Sequence, residues 1–175
     1  MTNRVTRRCP PIADTSLSEV WLDFDDRQKR RLITTLTQPD GTSQELHIQL
    51  ERVETPLTDG EVLADETGDL NVRVRAKPEP LLSCSGSQHA LTRAAYHLGN
   101  RHAKVQITPT AVLTPADPVM AQMLTQLGLD VHEVSAPFLP EVGAYHHAHG
   151  HGHDHDEAHH HGHGTAKIHR FVMRP

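Results

Sequence analysis

The hydrophobic pattern of this chain changes period at Lys77-Pro78-Glu79-Pro80, and that change fixes the broadest feature of its fold. Before the break, apolar residues recur at every second position. Leu46, Ile48 and Leu50 alternate with His47, Gln49 and Glu51; Leu70, Val72, Val74 and Ala76 alternate with Asn71, Arg73 and Arg75. A period of two puts one face of a strand into a core and leaves the other in water. Val20 to Leu22, Leu32 to Leu36 and Val62-Leu63 are further short apolar runs. Turn signals separate them at Pro39-Asp40-Gly41, Thr58-Asp59-Gly60 and Glu66-Thr67-Gly68-Asp69. The charged run Asp23 to Arg31 reads as a turn, and no helical period is visible. Residues 1–77 are therefore expected to form a small all-β domain.

The break itself reads as a linker, and beyond it the period lengthens. Leu81 to Cys84 is a short strand. Ser87 caps a helix in which Ala90, Leu91, Ala94, Ala95 and Leu98 share one face. Gly99 or Asn100 suits the left-handed residue that ends such a helix. Lys104 to Ile107 and Thr110 to Leu113 read as strands. Asp117 caps a second helix with Pro118 at its first position. Val119, Met120, Met123, Leu124 and Leu127 supply its apolar face, Gly128 ends it, and Leu129 to Val134 is a last strand. The order β-α-β-β-α-β is ferredoxin-like and is assigned to residues 78–145. The class is α+β, an N-terminal all-β domain followed by a ferredoxin-like domain.

Residues 146–175 are a different kind of segment. His146 to His163 holds ten histidines in eighteen positions, spaced by Ala, Gly, Asp and Glu. Low hydrophobicity predicts a disordered tail. Neutral imidazole is the commonest protein ligand for borderline metals, so the tract reads as an arm for Ni²⁺, Cu²⁺ or Zn²⁺. The candidate ligands are His146, His147, His149, His151, His153, His155, His159, His160, His161 and His163. A purification tag is usually an unbroken run, and this one is interrupted by Gly150, Gly152, Asp154, Asp156 and Glu157. A pH-sensing arm is chemically sound, since imidazole titrates near pH ~6.5. Metal binding accounts for more of the pattern.

Net charge is −5 with histidine neutral. The tail balances Asp154, Asp156 and Glu157 against Lys167, Arg170 and Arg174, so the body is acidic and nucleic acid is not the expected partner. No apolar run reaches the ~20 residues of a membrane span. The start is basic without an apolar stretch behind it, so the expected compartment is the cytoplasm. Cys9 and Cys84 are isolated and read as packed or exposed side chains rather than a zinc ribbon or disulfide framework. The body has no Gly-x-x-x-x-Gly-Lys-[Ser/Thr] loop, no His-Glu-x-x-His and no evident nucleophile–base pair, so it is not read as an enzyme. His47, His89 and His132 are scattered.

One histidine of the body stands apart. His102 closes Tyr96-His97-Leu98-Gly99-Asn100-Arg101-His102, just past a helix end. Taken alone, a loop histidine is usually structural. A two-fold axis near it would double one imidazole into two donors, which the tail histidines could supplement. His97 points about 140° away around the helix and reads as a packing residue.

That heptapeptide also carries a resemblance. Together with Phe24-Asp25-Asp26-Arg27 and the following Arg30-Arg31-Leu32, Leu57-x-Asp59-Gly60, and Pro137-Phe138-Leu139-Pro140-Glu141-x-Gly143-Ala144-Tyr145, it resembles the urease accessory nickel chaperone family, commonly called UreE. The resemblance implies a homodimer whose β domain resembles a peptide-binding module. It implies Ni²⁺ carried toward apo-urease through a GTPase partner, with His102 as the interfacial ligand. His146, His147 and His149 stand where members supply further ligands to that site. Ala116-Asp117-Pro118 stands where some members have a peripheral His-x-His, so that site is expected to be absent. Imidazole sites generally favour Cu²⁺ over Ni²⁺, with Zn²⁺ also competing, so nickel rests on the resemblance. The rival reading is a metal buffer without a delivery partner.

Overall fold

The alternation in the first 77 residues becomes one seven-stranded sheet. Its strands are β1 (Asn3–Val5), β2 (Arg7–Cys9), β3 (Ser18–Leu22), β4 (Arg31–Thr37), β5 (Ser43–Gln49), β6 (Val62–Ala64) and β7 (Asn71–Ala76). The computed structural model describes residues 3–10, 12 and 16–142. The tail from residue 146, its expected disorder and its ten candidate ligands lie outside the described residues. Sheet order is β1-β5-β4-β3-β7-β6-β2. The two outermost strands are one segment bent at Thr6. Its first half pairs parallel with β5, Val5 opposite Ile48, and its second half antiparallel with β6, Cys9 opposite Val62. The Thr6 N–H donates to the Ala64 carbonyl at 2.8 Å across the bend. The sheet thereby closes into a near-barrel around Val5, Val20, Leu22, Leu36, Leu46, Ile48, Leu63, Val72 and Val74. Aliphatic side chains fill this interior, each worth roughly 1.5–3 kcal/mol when fully buried.

The run from Asp23 is not only a turn. Phe24–Arg27 forms a one-turn helix, α1, with the Asp23 carboxylate accepting the Asp26 N–H at 2.8 Å. A single turn is too short to leave a 3.6-residue pattern in sequence.

The second sheet is built from β8 (Pro78–Ser85), β9 (Gln106–Ile107), β10 (Ala111–Pro115) and β11 (Asp130–Pro137), with α2 (Gln88–Gly99) and α3 (Pro118–Gln126) between strands. Its order β11-β8-β10-β9, antiparallel throughout, is the expected ferredoxin-like arrangement. Both helices pack on one face: Ala90, Leu91, Ala94, Leu98 and Leu124 lie against Leu82, Cys84 and Val112. Ser87 and Asp117 cap them as read, accepting the Ala90 and Met120 N–H groups at 3.2 and 2.8 Å.

The proline-rich break is not a linker. Pro78 and Pro80 are the first and third residues of β8, paired with Pro137 and Ser135 of β11. The Pro80 carbonyl accepts the Ala116 N–H at 3.1 Å, on the side where the β10 ladder runs out. Both prolines therefore turn their missing N–H toward that side and break no bond to β11.

Phe138 follows β11, fully buried, and joins Phe24 and Leu81 in a third cluster on the sheet face away from the helices. Phe24 and Phe138 meet edge to face at 5.6 Å.

Candidate metal centre

His102 is the only non-glycine described residue with a positive φ, at 55°. It sits in the turn that closes α2, three residues past Gly99. The His102 N–H donates to Gly99 O at 2.9 Å, and the Ala103 N–H donates five residues back to Leu98 O at 3.1 Å. This is a Schellman closure, with the apolar pair Leu98 and Ala103 sealed beneath it. α3 ends the same way: Gly128, φ 86°, donates to Thr125 O and Leu129 to Leu124 O. The left-handed residue of α2 is thus His102 and neither Gly99, which is still helical, nor Asn100, whose φ is −64°. An L-residue there carries about 1 kcal/mol of backbone cost that glycine avoids. Strain of this kind clusters at functional positions.

The His102 side chain is exposed, and the chain after it is held. Ala103 gives its N–H to the helix, Lys104 gives its carbonyl to the Thr114 hydroxyl at 3.0 Å, and Val105 gives its carbonyl to the Glu141 N–H at 2.8 Å. Tyr96, 67% exposed, lies edge-on to the half-buried His97 at 5.4 Å, and Arg101 Nη1 donates to the His97 carbonyl. Among the described residues, no three His, Cys, Asp or Glu side chains converge where they could hold a metal ion. His47 pairs with Glu45 on β5, His132 with Asp130 on β11, and His89 stands in the first turn of α2. Burial pushes the Cys84 thiol up to about 11, so it offers no thiolate near neutrality. Cys9 belongs to the other sheet.

The distinctive phrases of the sequence meet in space. Arg27, 2% exposed, donates through Nη1 to Leu57 O at 3.2 Å and through Nη2 to Phe138 O. Burial lowers its pKa below the ordinary value, while Glu79, Asp59 and Asp23 pull it back up. Burial also raises the Glu79 carboxyl, although its Oε1 accepts the Phe24 N–H at 3.0 Å. Asp59 Oδ1 accepts the Ala76 N–H at 2.8 Å. Lys104 Nζ stands 5.7 Å from the Phe24 ring centre, and Leu139 N–H donates to Gln106 Oε1 at 2.8 Å. The phrases at 24–27, 57–60 and 137–141 therefore form one junction, and the strand following the heptapeptide borders it. No local spacing in the sequence announces this junction, because its bonds join residues far apart in the chain. A cavity of about 240 Å³ opens there between Phe24, Val53, Pro56, Lys104 and Val142, and no histidine among the described residues lines it.

Residues 2–77 match the N-terminal domain of the UreE urease accessory protein, and residues 72–163 match its C-terminal domain. The chain belongs to the UreE family. Among its relatives, a urease accessory protein UreE of Pseudomonas putida (strain W619) is 47% identical over 146 residues, covering 82% of this chain and 86% of the relative. That of Nostoc punctiforme is 40% identical over 148 residues, covering 82% and 97%. That of Paraburkholderia xenovorans is 43% identical over 136 residues, covering 77% of this chain and 58% of a longer relative. The UreE C-terminal match takes in both His102 and the histidines up to His163. Among the described residues, no helix is long and apolar enough to cross a membrane.

Proposed function

We propose that this UreE family member is a nickel metallochaperone for assembly of the urease metallocentre, a carrier rather than an enzyme. Two copies of His102, one from each subunit of a homodimer, form the central Ni²⁺ site. The observation that carries this reading is the placement of His102: exposed, left-handed where glycine would be cheaper, and followed by three tied residues. One imidazole without neighbours is a poor site. Symmetry and the tail are the two sources of further donors.

The tail is rooted in the right place. Glu141 bonds to Val105, three residues from His102, and His146 is five residues beyond Glu141. Five extended residues span at most about 18 Å, and three at most about 11 Å. His146, His147 and His149 can therefore reach the central site. His151, His153, His155, His159, His160, His161 and His163 then act as a tethered reservoir at high effective concentration. Zn²⁺ and Cu²⁺ compete for such imidazoles, so selectivity comes from supply and from partners. The partners are the cytoplasmic urease accessory GTPase and, through it, apo-urease.

Calorimetry tests the site. The full chain should bind several Ni²⁺ per dimer, and a chain ending before Gly150 should keep one tight site per dimer. Retention of that site by His102→Ala would remove His102 from the centre. A pull-down with the GTPase, with and without nickel, tests delivery: no complex in either condition favours a buffer.

A further inference from the structure

We propose that Thr114 is a positioning residue for His102, acting through the Lys104 carbonyl. Arg27 and Thr114 are the buried polar residues of the described chain, Thr114 at 1% exposure. It stands in β10 beside Leu82 of β8, where valine would fill the same space without a hydroxyl. Burying a hydroxyl without a partner is costly. This one donates to Lys104 O at 3.0 Å.

The place of that bond is informative. The β9–β10 ladder consists of Val112 opposite Ile107 and Leu113 opposite Gln106, and goes no further. The next carbonyl back, that of Val105, is taken by Glu141 instead of by β10. Thr114 crosses the gap with its side chain and holds the carbonyl one residue nearer the metal loop. His102 then lies between two anchors: the Schellman bonds of α2 behind it and the Thr114–Lys104 bond ahead.

This rests on the reading of His102 as the central ligand. A site whose body-borne donors are one imidazole per subunit tolerates little drift, because productive geometry is held to about 0.5 Å. Thr114 keeps the loop from supplying that drift. It touches no metal itself.

The test uses the full chain and three variants, Thr114→Val, Thr114→Ser and His102→Ala. Chelator competition reads the affinity of the first half-equivalent of Ni²⁺ per chain, before weaker sites fill. Amide exchange of Ala103 in the metal-free protein reads the loop, and thermal melting reads the fold. Thr114→Val should raise that Kd roughly tenfold. It should also speed Ala103 exchange, and Thr114→Ser should recover both. Wild-type affinity in Thr114→Val, beside a His102→Ala chain that has lost the site, overturns the positioning role alone. So does a serine variant as weak as the valine one. A His102→Ala chain that keeps the tight site overturns the metal reading, and the role of Thr114 toward it.

Discussion

His102 and Gly128 occupy equivalent positions at the ends of α2 and α3: both are left-handed, and both donate to the carbonyl three residues back. The first position spends stability to expose an imidazole; the second spends none. Replacing His102 by glycine should therefore separate stability from binding. The substitution relieves about 1 kcal/mol of left-handed cost, partly returned through glycine's larger unfolded-state freedom. A gain of about 0.5 kcal/mol in urea denaturation, together with loss of the tight Ni²⁺ site in calorimetry, is expected. A variant that is both less stable and still competent would contradict the assignment.

Arg27 ties the two domains together at the Phe138 carbonyl. Arg27→Met keeps much of the volume and strands two buried carbonyls, those of Leu57 and Phe138. The expected cost is about 2–3 kcal/mol. Scanning calorimetry should show the melt broadening or splitting, because the β domain loses its hold on the segment after β11. A single transition at an unchanged midpoint would show the junction to be slack.

The two cysteines should differ sharply. Cys84 is fully buried, its thiol raised to about 11, whereas Cys9 is half-exposed. Native protein treated with iodoacetamide near pH 8 should gain one adduct, at Cys9, by mass spectrometry, and two after denaturation. The sign of the pH effect follows. The folded pKa lies above the ordinary thiol value of 9.0, so the folded state holds the proton more tightly. This contribution is intact below pH 9 and is lost as the pH climbs toward about 11.

The Asp117 cap should matter to the fold and not to the metal. Its carboxylate satisfies the Met120 N–H, so Asp117→Ala should cost about 1 kcal/mol in denaturant titration. Nickel affinity of the first half-equivalent should remain at the wild-type value, since α3 contributes no bond to the His102 loop among those seen.

Sequence was most legible where the determinants are local. Asp117, Pro118 and Gly128 mark α3 within a dozen positions, and each acts on its own helix. It was least legible where bonds span the chain. The Arg7-Arg8-Cys9 strand looks too charged to be one until Ala64, Leu63 and Val62 supply its ladder. The end of α2 misled because Gly99-Asn100 is a helix-stop signature arriving three residues early; the apolar closure is Leu98 with Ala103, which places the turn at His102. His102 is singled out as the proposed ligand by a resemblance, whereas the bonds that hold the chain after it come from Thr114 and Glu141, and no local spacing announces them.

The bend at Thr6 carries a consequence for solubility. One short stretch, residues 3–9, supplies the hydrogen-bonding partners for both rims of the N-terminal barrel. Stripping it away would bare β5 and β6 together, and unpaired rims of that kind recruit strands from other molecules. A trim at the front of the chain should thus promote self-association far out of proportion to the few residues removed.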